Sequence, residues 1–404
     1  MNHLFPGRGL LVCLSFLAMV CPSSSAPLEP EEVEFFEEQK LLVSKGESVD
    51  QYNLGVCYAD GKGVRPDPSQ AAVWFRKAAA QGLPEAQNRL GGCFIFGEGV
   101  PKDLAEGVAW YRKAAAQGLP AAIYNLAACY GQGWGVAKDE AESIRLVRKA
   151  ADQGFASAQL ALGRLHESGQ GVPKDDFLAA AWFRKAAEQA EGEAQLFLGS
   201  CYAEGRGVAK DRAQAIWWYH RAAELGVAKA AYELGAIYAK GRGVEIDAAQ
   251  SIHWMRKAVE LGLPEADHAL GVFYANGFGV AKDDTQALRC YRTAAEQGVD
   301  DAQFELGMRC ATGLGVPKDD GQAAAWFRRA ALQGHDKAQL RLGSCYFEGL
   351  GVAKDELEAY AFWMLAGVTD AATLRTKKVS PELIAAATKR AEHLRETIAG
   401  QTAK

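Results

Sequence analysis

Nine aspartates recur every 36 residues, at Asp67, Asp103, Asp139, Asp175, Asp211, Asp247, Asp283, Asp319 and Asp355. Carboxylates in such register could hold cations or work as acid–base pairs. Each follows a G-x-G-V tetrapeptide, from Gly61–Val64 to Gly349–Val352, and glycine-rich turns can cradle phosphate. Neither chemistry fits the spacing. Equivalent positions in stacked helical units lie about 10 Å apart, too far to share an ion. A phosphate loop needs a preceding strand and following phosphate ligands, and these turns fall between helical patterns. His166, His220, His253, His268, His335 and His393 hold unrelated repeat positions, with no H-E-x-x-H and no nucleophile at a matching spacing. No catalytic, metal-binding or cofactor-binding residue is expected, and no cofactor. The aspartates are expected as helix caps.

Cysteine divides into two groups. Cys57, Cys93, Cys129, Cys201 and Cys345 each follow an anchor leucine by three residues. A separation of about 10 Å exceeds the ~7 Å Cα limit for a disulfide, so these read as small buried side chains. Cys290 and Cys310 stand where other units carry aromatics, on adjoining antiparallel helices and at mirrored positions about the turn at Gln297–Val299. They form a candidate disulfide, which would stabilise by roughly 3 kcal/mol in an oxidising compartment.

The elements behind these positions are helical. Leucines at 54, 90, 126, 162, 198, 234, 270, 306 and 342 mark nine units without insertion or deletion. Ala, Leu-Gly and an aromatic at four-residue steps, as in Ala86, Leu90 and Phe94 or Ala194, Leu198 and Tyr202, lay one apolar stripe along a first helix. The G-x-G-V turn ends it, since glycine accepts positive φ. Asp then caps a second helix, and Glu or Gln three residues on (every unit but that of Leu178) predicts a reciprocal capping box. The second helix carries Trp-aromatic and Lys-Ala-Ala and closes near Gly82 or its equivalents, with Trp expected to fill the gap between layers. The fold class is all-α, a right-handed α/α superhelical solenoid of nine 36-residue helix-turn-helix repeats with helical caps. The expected division is a signal peptide at 1–26, a capping half-repeat at 27–49, nine repeats at 50–370, and a capping helix and tail at 371–404.

This unit, A-x-x-x-L-G-x-x-Y, G-x-G-V, D-x-x-x-A, W-[FY]-x-K-A-A and a closing glycine, resembles the Sel-one-like repeat, a relative of the tetratricopeptide repeat. The resemblance implies the superhelix and a role as an adaptor in protein complexes, at bacterial envelopes, in signalling or in the endoplasmic reticulum. A cysteine-rich branch with β-lactam chemistry carries two Cys per unit around the closing turn. Ala80 and Gln87 stand there in this chain.

The first 26 residues carry Arg8, an apolar run from Leu10 to Val20 and small residues from Ser23 to Ala26, the pattern of an export signal. Lipidation at Cys21 is the alternative, disfavoured by Val20. Among 404 residues there are 45 basic and 50 acidic side chains, without a basic block; nucleic acid is therefore not an expected partner. No later run reaches the ~18 apolar residues of a spanning helix. The expected product is a monomer in the periplasm or outside a bacterium, or in the endoplasmic reticulum lumen or secreted if eukaryotic.

A repeat array keeps its core and varies its binding surface. The residue before each anchor leucine varies, giving candidates Asn53, Arg89, Asn125, Phe197, Glu233, Glu305 and Arg341 in a groove lined by first helices. Turn tips add Trp134, Phe278, Leu314 and Leu350, the last three as a possible apolar ridge. The expected function is non-enzymatic binding of a protein or peptide; the alternative is a cell-wall or β-lactam hydrolase of the cysteine-rich type.

Overall fold

A computed structural model describes residues 29–367 and 379–402. The leader expected at 1–26 and the boundary expected at 370/371 lie outside the described residues. Helix α1 (Pro30–Leu42) leads through a 3-10 turn (Val43–Lys45) into nine helical hairpins. These are α2 (Ser48–Asp60) with α3 (Pro68–Ala80), α4 (Pro84–Phe96) with α5 (Leu104–Ala116), and α6 (Pro120–Gln132) with α7 (Glu140–Asp152). Next come α8 (Ala156–Ser168) with α9 (Asp176–Glu188), α10 (Gly192–Glu204) with α11 (Arg212–Glu224), and α12 (Ala228–Lys240) with α13 (Ala248–Glu260). The last are α14 (Pro264–Asn276) with α15 (Asp284–Glu296), α16 (Asp300–Thr312) with α17 (Asp320–Ala331), and α18 (Asp336–Glu348) with α19 (Glu356–Leu365), before a final α20 (Pro381–Thr402). No strand occurs among the described residues, and none of their helices is long and apolar enough to cross a membrane. The chain packs as two compact parts, one ending at Trp218 and the other starting at Tyr219.

Helices of 13 residues are marginal alone, so their stability must come from contacts with neighbours. The core is accordingly a series of local clusters. One joins Ala71, Phe75, Ala78, Ala86, Leu90 and Cys93; another joins Phe327, Ala330, Leu342, Tyr360, Ala387 and Leu394. Within a hairpin the fit depends on the glycine after the anchor leucine. A Cβ at Gly163 would stand 2.6 Å from the Phe183 ring, and one at Gly307 2.7 Å from the Phe327 ring. The second aromatic of the Trp-aromatic pair is therefore the residue that fills the layer: Phe75, Tyr111, Phe183 and Phe327 are fully buried. The preceding Trp is only half-buried in the hairpins of Trp74, Trp110, Trp182 and Trp326. Lys77 and Lys113 each lay an ammonium 3.7 Å from the ring centre of Trp74 and Trp110, a cation–π contact on the exposed side. The gap-filling role expected of Trp thus belongs to its neighbour.

Between successive units the second glycine of G-x-G makes the closest approach. Gly99, at φ 70°, lies so near the Pro68 carbonyl that a Cβ would fall 1.9 Å from its oxygen. Gly207 stands in the same relation to the Asp176 carbonyl, and Gly351 to that of Asp320. Any side chain at these glycines would separate the units.

All nine aspartates cap. Each carboxylate accepts from the backbone N–H three residues on, at 2.8–3.0 Å. The reciprocal arm of the expected capping box is not used. Each Asp N–H instead donates to the carbonyl nine residues earlier on the first helix, as Asp103 does to Phe94 O at 2.9 Å. With that donor taken, the Glu and Gln side chains turn elsewhere: Glu106 accepts from Trp110 Nε1, and Glu358 from Arg390 Nε.

A second polar link crosses the hairpins. Buried Gln87 donates through Nε2 to Ala79 O at 3.3 Å, and its Oε1 accepts from Gln117 at 2.8 Å. Gln159 with Gln189, and Gln303 with Gln333, repeat the arrangement. At the start Gln81 reaches Gln51 and Gly46 O, both at 2.9 Å, so the turn after α1 occupies the place a closing turn holds elsewhere. Phe36 of α1 is buried against the same hairpin and meets Tyr58 edge-on at 5.4 Å. At the far end Ser380 Oγ accepts from Leu383 N to open α20, whose Ala387, Ala391 and Leu394 are buried.

One closing turn departs from glycine. Ala190 takes φ 62°, the only non-glycine among the described residues with positive φ. A left-handed alanine costs roughly 1–2 kcal/mol of local strain. Ala190→Gly should therefore stabilise the chain by about 1 kcal/mol, despite glycine's extra freedom when unfolded. Urea unfolding followed by circular dichroism checks this; an unchanged or lower midpoint contradicts it.

Candidate functional site

The residues before and two before each anchor leucine lie side by side on the first helices. Their environments differ along the chain. Asn125 is buried and donates to Asn88 Oδ1 on the preceding first helix at 2.9 Å. Tyr124 and Leu160 are buried too, Tyr124 packing against Phe155 at 5.5 Å between ring centres. Phe197 stacks on Phe183 at 5.1 Å. Arg89, part-buried, reaches Asp60 at 3.7 Å, and Asn53 is part-buried. Between residues 88 and 160 the first-helix face is largely filled by its own side chains.

The part from Tyr219 onward keeps this face open. Tyr232, His268 and Phe304 are part-exposed and Leu340 is exposed. One helical turn on, and hence on the same face, lie Ala236, Val272, Met308 and Ser344, also part-exposed. Glu233 pairs with Lys229 at 3.6 Å; Glu305 and Arg341 flank the row on adjacent first helices. Between α16 and α18 the face sinks into a hollow of about 330 Å³, lined by Phe304, Lys337, Leu340, Arg341 and Ser344. Of these, the sequence pattern singles out Arg341 alone. The others fall outside it because only the side chain immediately before the leucine was expected to project; the signal that finds them is the parallel row two residues before the leucine.

The turn tips are not one ridge. Phe278 folds onto Phe273 of its own hairpin, with ring centres 4.9 Å apart, while Leu314 and Leu350 are exposed. Trp134 packs edge-on against Phe96.

The ionisable groups of the face cluster beside the hollow. His335 Nε2 lies 3.1 Å from Asp301 Oδ1, while its Nδ1 accepts from Ala338 N at 3.0 Å and caps α18. Its ring stacks on Phe304 at 4.8 Å. Hydrogen bonding to Asp301 raises the proton affinity of His335 above the ordinary histidine value and lowers that of Asp301. Protonating Nδ1 would strengthen this pair but remove the cap. His268 is shifted the other way, because burial disfavours its charged form.

The thiols are chemically quiet. Burial pushes Cys93 and Cys201 up to about 11 and Cys129 to about 12, so they stay protonated at neutral pH and are poor nucleophiles. The bridge expected between Cys290 and Cys310 is not formed; both are free. They turn to different neighbours. Cys310 packs forward with Ala323, Ala324 and Phe327. Cys290 lies half-buried on the side nearer α14, where Asp267 is its foremost charged neighbour. Mirrored sequence positions do not place two side chains on facing surfaces. No group of three or more His, Cys, Asp or Glu able to hold a metal occurs among the described residues.

The Sel1 repeat matches the sequence nine times in succession, at residues 48–83, 84–119, 120–155, 156–191, 192–227, 228–263, 264–299, 300–335 and 336–366. The chain belongs to the Sel1 repeat family. Its Sel1 units resemble those of solved bacterial proteins. A Sel1 repeat protein from Oxalobacter formigenes is 34% identical over 77% of this chain and 90% of its own, with a TM-score of 0.56. A protective antigen of uropathogenic Escherichia coli with an SLR fold is 31% identical over 92% of this chain and 88% of its own, with a TM-score of 0.45. No match was found among curated proteins. Sel1 repeat proteins generally serve as protein-interaction scaffolds, typically without catalysis, and the fold here is the all-helical solenoid of that family.

Two measurements follow from the Sel1 site. Asp301→Asn should lower the pKa of His335, read from its imidazole proton shifts by NMR. The pair is strongest while both groups are charged, so the variant's loss should be largest between about pH 4 and 6.5 and diminish as pH rises through the folded His335 value. Among the cysteines of the described residues, Cys290 should be alkylated first by iodoacetamide, with the six buried thiols reacting only on unfolding; mass-spectrometric mapping would expose the reverse order.

Proposed function

We propose that this chain is an exported, monomeric, non-enzymatic scaffold that binds a protein or peptide along its first-helix face. The observation that carries the reading is the contrast along that face. From Tyr232 to Leu340 its varied side chains remain open, whereas the recurring Leu-Gly and Ala-Ala positions are committed to packing. A partner laid along the face would meet Glu233, Glu305 and Arg341, with exposed Leu314 and Leu350 at the adjoining turns. Arg89 and Asn53 offer part-open edges in the first part, while Asn125 and Phe197 act by holding the face in shape. The leader pattern at 1–26 supports delivery to the periplasm or beyond in a bacterium.

Photocrosslinking in the native host tests this reading. Benzoylphenylalanine at Ala236 or Val272, on the first-helix face, should capture a discrete partner. The same group at His253 or Ala325, exposed on second helices, should not. Capture from the second-helix positions alone would overturn the reading. The protein recovered from the exported fraction should begin between residues 24 and 27, as read by N-terminal sequencing.

A further inference from the structure

The hollow between α16 and α18 has a definite chemistry. Its floor is apolar and fixed: Phe304 is held between the stacked His335 ring and Phe327, whose ring centres lie 4.8 and 5.9 Å away. Leu340 forms a second wall, and its carbonyl is tied down by Trp363 Nε1 and Ser344 Oγ, both at 3.1 Å. Two cations, Lys337 and Arg341, stand at the rim. Neither forms an ion pair within 4 Å among the described residues, and no carboxylate lines the hollow. On α16, Asp301 is engaged by His335, and Glu305 follows Phe304 outside the lining of the hollow. A volume of about 330 Å³ lies at the lower end for ligand sites, enough for one large apolar side chain rather than an extended ligand.

We propose that this hollow seats a peptide segment in which a large apolar side chain is flanked by carboxylates. The apolar group would lie on Phe304 and Leu340, and the carboxylates would meet Lys337 and Arg341. Arg341 can engage a carboxylate with two parallel N–H donors, which a lysine cannot. A basic segment would be repelled, and a neutral apolar one would leave both cations unpaired. This inference rests on the reading of the first-helix face as the binding face and adds the chemistry of one place on it.

The test uses the full chain and fluorescence anisotropy. The probe is a labelled peptide of glycine and serine with Asp-Leu-Glu-Phe at its centre. It should bind at low salt and weaken as salt rises. Its Asn-Leu-Gln-Phe counterpart, and a version with Ser in place of Leu and Phe, should each bind at least tenfold more weakly. Lys337→Gln with Arg341→Gln should lose the acidic preference at an unchanged melting temperature, since both side chains are exposed. Lys337→Glu with Arg341→Glu should reverse it in favour of a Lys-Leu-Lys-Phe peptide. Equal binding of the acidic and amide peptides, undiminished binding by the charge-reversed chain, or no binding at all would overturn the proposal. If it falls while crosslinks from Ala236 and Val272 persist, only the hollow has been misassigned; loss of those crosslinks as well removes the face itself.

Discussion

The fold depends on backbone meeting backbone at the second glycine of the G-x-G turn, as at Gly63, Gly99, Gly135, Gly207 and Gly351. At Gly99, Gly207 and Gly351 the space for a Cβ is already occupied by a carbonyl of the previous unit's second helix. Dispersion falls off over fractions of an ångström, so this approach sets how closely neighbouring units can dock. It also explains the strict period. One inserted residue between turn and helix would carry the glycine off its carbonyl, and with it the Asp N–H that donates nine residues back and the carboxylate that caps the next helix.

Within that frame, polar and apolar links divide the work. In most hairpins an aromatic ring presses on the glycine after the anchor leucine and excludes water; Met255 takes that place against Gly235. Buried Gln87, Gln159 and Gln303 then bind segments that the rings do not reach, each donating to the end of one helix and accepting from the start of the next closing turn. Gln195 and Gln339 make the donor half alone. A buried amide with both ends satisfied resists sliding in a way that a greasy contact does not. The same economy appears at His335, where a residue that caps a helix also orients Phe304 and engages Asp301.

Most of the fold was legible because its signals are local and repeated nine times. Nine Asp caps, two helices per unit and glycine-closed turns all follow from residue types at fixed spacing. What escaped depended on competition or direction. The capping box failed because a carbonyl nine residues earlier already holds the Asp N–H, a partner no i, i+3 pattern reveals. Trp lost the layer to the residue after it because helical phase, not size, decides which ring faces the glycine. Cys290 and Cys310 share a hairpin but face different neighbours. At the candidate site, Arg341 was visible as a variable position, whereas Phe304, Lys337 and Leu340 acquire meaning only from how α16 and α18 stand side by side.

The glutamine links have a consequence for how the array comes apart. Where the buried amide is replaced, by Ile123, Ala231 and Asp267, a unit loses this polar tie to the preceding helix. In a linear array, cooperativity is only as long as the unbroken coupling between neighbours. Thermal opening should therefore spread through linked hairpins as blocks and halt at these three seams. Transient openings there would expose whole helical faces to proteases or chaperones while adjoining blocks stay folded. The chain would behave less as one melting object than as a short series of fuses.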